Sequence, residues 1–441
     1  MSRSEGVTLI DGDTRQALIT GYQWVIGALQ AVEDLFTASW LEKKDGHRLQ
    51  ILWARRDTLS TSELYSLGKS ILKLSVNSRR WLEANAREIR KDINNSHGLL
   101  TEIITIGNLS AKGGTITPCT KSYPLYDYTV DFETGYQYKV SVKNFDISIH
   151  EKNFNKQCNL IRTTFKNFLK RKKDSGCLTV ILERDVLTED LARVICCHIT
   201  FQLDKHDVYL AEDGRFLISF NALSEYEGKG LVHPSDIVLI IGRQHHNEQR
   251  NIKDKIKQAH DKLSADPDDD KSLKKLLIRL GTTTNIDLMH EYMQELASGW
   301  ERCGFDMYLL VQPAVVSDLT NNTTMIVNTV YTGSKSFYPK TSNFMQKMVN
   351  LRPITWEIGV GGISQQRAPL LLMAGKASTN IDLSESYVFQ KGDIYLRAER
   401  KGDTYMGDLS RMAPGILLHS VVDNMILSPV CFATEDNLLI V

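Results

Sequence analysis

The sequence predicts an α/β protein: a helical N-terminal segment, a mixed sheet flanked by helices, then a separate α+β C-terminal region. Three observations predict it. Apolar residues recur at helical spacing near the N-terminus, at Leu18, Tyr22, Val25, Ile26, Leu29, Val32 and Phe36. Mid-chain patterns follow the order helix, strand, strand, helix, strand, which covers a sheet with helices. From about residue 304 the texture turns to short β-rich runs such as "DMYLLVQPAVV" and "TMIVNTVYTG". The 441 residues exceed one ordinary core, and the expected domains are 1–80, 81–240 and 241–441.

The first helical pattern covers residues 14–43. Residues 62–106 are also mostly helical, and "STSELYSLGKSILKLS" opens on a hydroxyl cap followed by Glu63. Gly107, Gly113, Gly114 and Pro118 then break the pattern. "YDYTVDFETGYQYKVSVKNF", residues 126–145, reads as two strands joined at Glu133–Tyr136, where Gly135 permits an unusual φ. A helix over 150–173 follows, then the strand "LTVILER", a helix around Glu189 to Val194, and strand-like "CCHITFQL" and "DVYLAED". "DIVLIIG", 236–242, is either one more core strand or the first element of the next region. "NEQRNIKDKIKQAHDKL" and "KSLKKLLIRLG" read as a helical pair joined by "SADPDDD", with Pro267 as breaker.

Composition excludes some classes. Lysine and arginine (53) balance aspartate and glutamate (53), so this is no basic coat for nucleic acid, although a local basic groove is compatible with that balance. The seven cysteines are odd in number and form no CxxC, which argues against a disulfide framework or structural zinc and for a reducing compartment. No basic stretch followed by an apolar core and a cleavage site marks a signal peptide. The most apolar early run, "ALITGYQWVIGALQAV", is interrupted by Gln23 and Gln30 and is too short and polar to span a bilayer. A cytoplasmic protein without membrane contact is the expectation.

The hairpin holds residues that a surface hairpin does not need. With the turn centred between residues 134 and 135, Asp127 stands opposite Val142, flanked by Ser141 and Lys143. Ser141 and Lys143 share one strand face because side chains alternate. A carboxylate can hold Mg²⁺, which keeps waters and shares phosphate oxygens. A lysine beside it can orient the attacking water and stabilise charge on phosphorus.

Asp127, a thirteen-residue gap and "SVK" together resemble the PD-(D/E)XK nuclease superfamily, over about a third of the chain. The resemblance implies a restriction-endonuclease-like core in 81–240 and metal-dependent hydrolysis of phosphodiester bonds with Mg²⁺ or Mn²⁺, DNA being the expected substrate. It implies Asp127 and Glu102 as metal ligands, Glu102 lying on the preceding helix 25 residues upstream. Lys143 would activate the water. It also points to restriction, antiviral defence or DNA processing as the setting. The pattern departs from the family at Ser141, where an acid is expected. Restriction endonucleases of the family with S-x-K take the missing carboxylate from the following helix; the position fourteen residues past Lys143 is Gln157. Gln157 falls inside the apolar stripe Phe154, Cys158, Ile161, Phe165, Phe168, and Glu151 is the other candidate donor. Either Glu102, Asp127 and a Gln or Glu from that helix bind metal, or the core has lost full activity. In the second case it is a scaffold or a nucleic-acid-binding subunit of a larger complex. Homo-oligomerisation or a partner subunit fits either case.

The same helix carries the largest basic cluster: Lys152, Lys156, Lys166, Lys170, Arg171, Lys172 and Lys173. It could track phosphates, or its last residues could complement a helix C-terminus. Other motifs carry less. "ERK", 399–401, with Asp382 and Asp393 upstream, reads as a strand ending in a turn. His245 and His246 read as a solvated loop, and His198 as a core or strand residue. "GVGGIS" lacks the strand–helix context of a dinucleotide fingerprint, and no Walker lysine or GxSxG motif is present.

Overall fold

The structure is a computed structural model. It describes residues 23–427 except 56–57, 92–95, 111–113, 120–125, 175, 183–184, 204–207, 223–235, 268–269, 282–283, 299–302, 319–322, 335–354, 357–360, 365–385, 392–393, 402–403, 412–419 and 423–424. Of the first expected helix, residues 14–22 lie outside the described part. Six helices come first: α1 (Gln23–Phe36), α2 (Ala38–Leu41), α3 (Arg48–Ala54), α4 (Thr58–Ser75), α5 (Arg79–Lys91) and α6 (Ser96–Asn108). The hairpin region supplies β1 (Gly114–Pro118), β2 (Tyr128–Phe132) and β3 (Gln137–Phe145). Then follow α7 (Ile149–Lys172), β4 (Gly176–Leu182), α8 (Glu189–Phe201), β5 (Val208–Leu210), β6 (Leu217–Ala222) and β7 (Asp236–Arg243). The chain continues with α9 (Glu248–Ser264), β8 (Ser272–Leu280), α10 (Ile286–Ser298), β9 (Met307–Asp318), β10 (Thr323–Ser334), β11 (Gly361–Ser364) and β12 (Ser386–Lys391).

Two mixed sheets result. The first has the order β11-β10-β9-β8-β3-β2-β1, and the second β12-β7-β4-β6-β5. In the first sheet β1, β2 and β3 form an antiparallel meander. β8 then runs parallel to β3 from Gln137↔Ser272 to Phe145↔Leu280, and β9 runs parallel to β8. The second sheet, with α7 and α8 packed on it, is built almost wholly from the chain between β3 and α9. Only β12 joins it from elsewhere, antiparallel to β7.

Helices cover both faces of the first sheet. One core joins the N-terminal helices to Tyr138, Val140 and Val142 of β3 and to Leu273 and Leu277 of β8. A second core joins α9 and α10 to Phe145, Leu276, Ile278 and Leu280 on the other face. The expected boundaries at 80 and 240 therefore do not separate cores. The first sheet and its covering layers cross both, and the long excursion through the second sheet returns to β8.

Three expectations need correction. "KSLKKLLIRLG" is not a helix but the central strand β8. Its apolar residues fill both faces, so the run lacks the alternation that marks a half-exposed strand. "CCHITFQL" does not open a strand; α8 runs on to Phe201, burying Leu191, Ala192, Ile195 and Ile199 at helical spacing. Packing of that face overrides the β-propensity of its branched residues. The hairpin register also moves by one: Tyr128 pairs with Val140 and Thr129 with Lys139. The loop is three residues, closed by Phe132 N–H to Tyr136 O at 2.9 Å, with Gly135 at φ +76°. An odd loop with glycine in the left-handed region shifts the partners by one.

Other segments follow the expectation: α7, β4, β7 and α9 occupy the places read for them, and "ERK" ends a strand, 394–401, paired with 404–411. His198 is buried on α8 and stacks on Tyr209 at 3.9 Å. Among the described residues no helix is long and apolar enough to cross a membrane.

The N-terminal helices pack closely through glycine. A Cβ added at Gly68 of α4 would lie 2.0 Å from the carbonyl oxygen of Ala28 in α1. Alanine ordinarily stabilises a helix interior over glycine by up to about 1 kcal/mol. Here the clash reverses the sign, and Gly68→Ala is expected to destabilise the protein by about 1–3 kcal/mol in urea unfolding.

Candidate active site

The site forms where β2 and β3 part. Asp127 is the residue before β2, and its N–H still donates to the Val140 carbonyl at 2.9 Å. Two residues on, the N–H of Val142 goes instead to the Asp127 side chain, Oδ2, at 2.5 Å. The carboxylate thus takes the place of a main-chain acceptor at the end of the ladder. The same oxygen accepts from Ser141 Oγ at 3.3 Å and lies 3.5 Å from Lys143 Nζ. Lys143 Nζ also donates to the Val142 carbonyl at 3.0 Å.

Glu102 completes the group electrostatically. It lies on α6 and is half-buried. Burial raises its pKa to about 8; the charge of Asp127 adds to the rise and Lys143 opposes it. Two carboxylates and one ammonium therefore sense one another at the end of β3. This end also holds the C-terminus of the parallel strand β8, the edge at which α/β sheets commonly place ligands.

The donor set decides which metal it suits. Among the described residues no three His, Cys, Asp or Glu side chains come together to hold an ion. Asp127 and Glu102 are oxygen donors, the kind through which a hard ion such as Mg²⁺ or Mn²⁺ binds by one or two carboxylates while keeping waters for the rest. Such an ion would favour the charged form of Glu102 against the burial that chiefly raises its pKa and the charge of Asp127 that adds to the rise.

Gln157 is not brought to this site. It is buried on α7, whose stripe of Phe154, Cys158, Ile161 and Phe165 belongs to the core of the second sheet. No described hydrogen bond links it to Asp127, Ser141, Lys143 or Glu102. The helix that crosses back over the first sheet is α9, almost a hundred residues later in the chain, so a spacing counted from Lys143 lands on the wrong helix. Glu151 lies on the same α7, in its first turn. The basic cluster sits at the far end: Lys166, Lys170, Arg171, Lys172 and Lys173 are exposed, and Lys170–Lys172 occupy the last turn. At 1.5 Å per residue, Lys166 lies about 27 Å along α7 from Ser148. These lysines do not flank the hairpin site, and the last turn complements the helix dipole.

One group had no motif to announce it. Arg48 of α3 bridges to Asp146 Oδ2 at 3.0 Å, and His97 Nδ1 of α6 lies 3.2 Å from the same oxygen. Arg279 of β8 donates to Asn144 Oδ1 at 3.2 Å. His97 is on the helix that carries Glu102, and Asp146 follows Lys143 by three residues. The group therefore ties α6 to the end of β3. Burial, with the Arg48 and Arg279 charges, lowers the His97 pKa to about 3. Asp146 is held well below the ordinary carboxylate range; burial opposes this, but His97, Arg48 and Arg279 prevail.

Comparison with known proteins adds no family: no family model, curated protein or solved structure matches the chain.

Two pH dependences follow. Between pH 6.5 and about 3 the unfolded chain protonates His97 while the folded one does not. That contribution is harmless above pH 6.5 and costs stability as pH falls, by at most about 1.4 kcal/mol per unit. Urea unfolding at pH 7 and pH 5 should show a smaller loss for His97→Gln than for the parent. Glu102 acts in the opposite direction: its folded pKa is raised, so its contribution is present below pH 4.5 and lost as pH rises through about 8. In metal-free buffer at pH 8.5 to 9, Glu102→Gln should therefore be more stable than the parent by about 1–3 kcal/mol.

Proposed function

We propose that the protein is a metal-dependent nuclease of the PD-(D/E)XK type that hydrolyses phosphodiester bonds, with DNA as substrate and Mg²⁺ or Mn²⁺ as cofactor. The observation that carries this reading is Lys143 Nζ at 3.5 Å from Asp127 Oδ2, on neighbouring strands where they part, with Glu102 in electrostatic reach. The topology supports it: a helix bearing a glutamate, a three-stranded meander, a crossover helix and a strand parallel to the third, with helices on both faces.

In this reading Asp127 and Glu102 would hold the ion. When bound, the ion would neutralise phosphate charge and supply an acidic water. Lys143 holds the attacking water in line and stabilises negative charge on the phosphoryl oxygens. Ser141 donates to Asp127 Oδ2 and, with the Val142 N–H, fixes the lone pairs that remain for the ion. Metal binding requires Glu102 to lose its proton, so affinity rises with pH toward 8 and binding releases a proton.

The test is direct. Purified protein with Mg²⁺ or Mn²⁺ should nick or degrade plasmid DNA, and Lys143→Ala should reduce this roughly 10²–10³-fold. Added Mg²⁺ should raise the melting temperature of the parent and of Lys143→Ala but not of Asp127→Asn. Absence of both cleavage and a metal-dependent shift would defeat the nuclease reading and leave the core as a scaffold.

A further inference from the structure

A cleft of about 570 Å³ opens immediately past the catalytic strand, between the first turn of α7 and the exposed side of α9. Its lining includes Asn144, one residue after Lys143, and Gly98 of α6. Ile149, largely exposed at the start of α7, and Ile252 of α9 are apolar residues of its lining, while Phe145 reaches it from the core. Along α9, Asn251, Lys255 and Gln258 line it at helical spacing, while Ile256, Ala259 and Leu263 of the same helix go to the core. Across from them stands Lys152 of α7.

Four carboxylates line the cleft, Asp146, Glu151, Glu248 and Asp254, and Glu151 is buried in the first turn of α7. Asp146 is bridged to Arg48 at 3.0 Å, and Glu248 accepts from Ser148 and Tyr387 hydroxyls at 2.8 and 2.5 Å. Asp254 faces Arg250 at 3.8 Å. Neither Lys152 nor Lys255 forms an ion pair among the described residues, and Lys255 Nζ stands 5.7 Å over the Phe145 ring. Beside these carboxylates the cleft offers two lysines without an ion pair among the described residues, primary amides that can both donate and accept, and the aliphatic side chains of Ile149 and Ile252. Amides match base edges, apolar side chains take base faces, and lysines take phosphates. The volume lies in the range that holds one organic molecule and is far too small for a duplex.

We propose that this cleft binds one unpaired nucleotide of a nucleic-acid strand, next to the scissile phosphate. Asn251 and Gln258 contact the base edge, Ile149 and Ile252 its face, and Lys255 and Lys152 the flanking phosphates. The proposal rests on the nuclease reading for what lies beside the cleft. It extends that reading from duplex DNA in general to a strand that is unpaired at the site.

The experiment measures binding, so it does not depend on cleavage. Full-length protein carrying Lys143→Ala is titrated by fluorescence anisotropy against a labelled single strand, as DNA and as RNA, and against the matching DNA duplex. At least one single strand should bind about tenfold more tightly than the duplex. Lys255→Ala, and separately Asn251→Ala with Gln258→Ala, should each weaken single-strand binding by about tenfold. These side chains are exposed on α9, and circular dichroism should confirm that the variants keep the parent's fold. Equal binding of strand and duplex, no binding of any strand, or α9 variants that bind like their parent would each overturn the proposal. If the parent shows no cleavage but the α9 variants still lose strand binding, the nuclease reading fails and the nucleotide site stands.

Discussion

The pairing of β3 with β8 is the constraint on which the rest of the molecule depends. It joins residues 137–145 to 272–280 in parallel, and parallel neighbours cannot be joined by a tight turn. The chain must leave one end of the sheet and re-enter at the other. Here it uses that obligatory crossover to build a second sheet before α9 carries it back. Because β8 is central and buried on both faces, it unites the N-terminal helical layer with the layer of α9 and α10. Removing β8 would strip β3 of its parallel neighbour and the N-terminal core of Leu273 and Leu277. The placement of Lys143 relative to Glu102 is therefore a consequence of a contact made about 130 residues further along the chain.

That long crossover also explains what was legible in the sequence. Local features were read correctly where the signal is local: the hairpin, the helix that begins at Ser148, the strands at 176–182 and 236–243. Asp127 and Lys143 were legible as a pair because a hairpin brings sequence neighbours together. The register slipped by one because Gly135 makes a three-residue loop, and an odd or even loop cannot be told from "FETGY" alone. Gln157, fourteen residues past Lys143, lies on the helix whose apolar stripe packs on the second sheet, because a whole sheet is inserted between β3 and the helix that returns to the first. Nothing in the composition of 146–247 marks it as an excursion, since its strands and helices are as apolar as those of the first sheet.

The Arg48–His97–Asp146 group was invisible for a third reason. Its members are separated by about fifty residues at each step and have no spacing signature. What places them is burial: an arginine, a histidine and an aspartate inside a protein stay only if they satisfy one another. Such a group adds little net stability compared with apolar packing, but removing one member leaves the others uncompensated. Its effect is to make the arrangement of α3, α6 and the end of β3 unique. Glu102 and Lys143 lie on two of those three elements, so this network holds in place the elements that carry the candidate site.

Ser141 now has a physical role that does not require a missing carboxylate to be replaced. An acid at this position would add a third negative charge beside Asp127 and Glu102, and Glu102 is already held largely protonated near neutrality by burial and by the charge of Asp127. A serine instead donates a hydrogen bond to Asp127 Oδ2, offsetting charge rather than adding it. In the proposed nuclease reading, such a site would have fewer anionic ligands and hence weaker intrinsic affinity for a divalent ion, and phosphate oxygens of the substrate would complete the ion's shell, bringing the charge that the protein withholds.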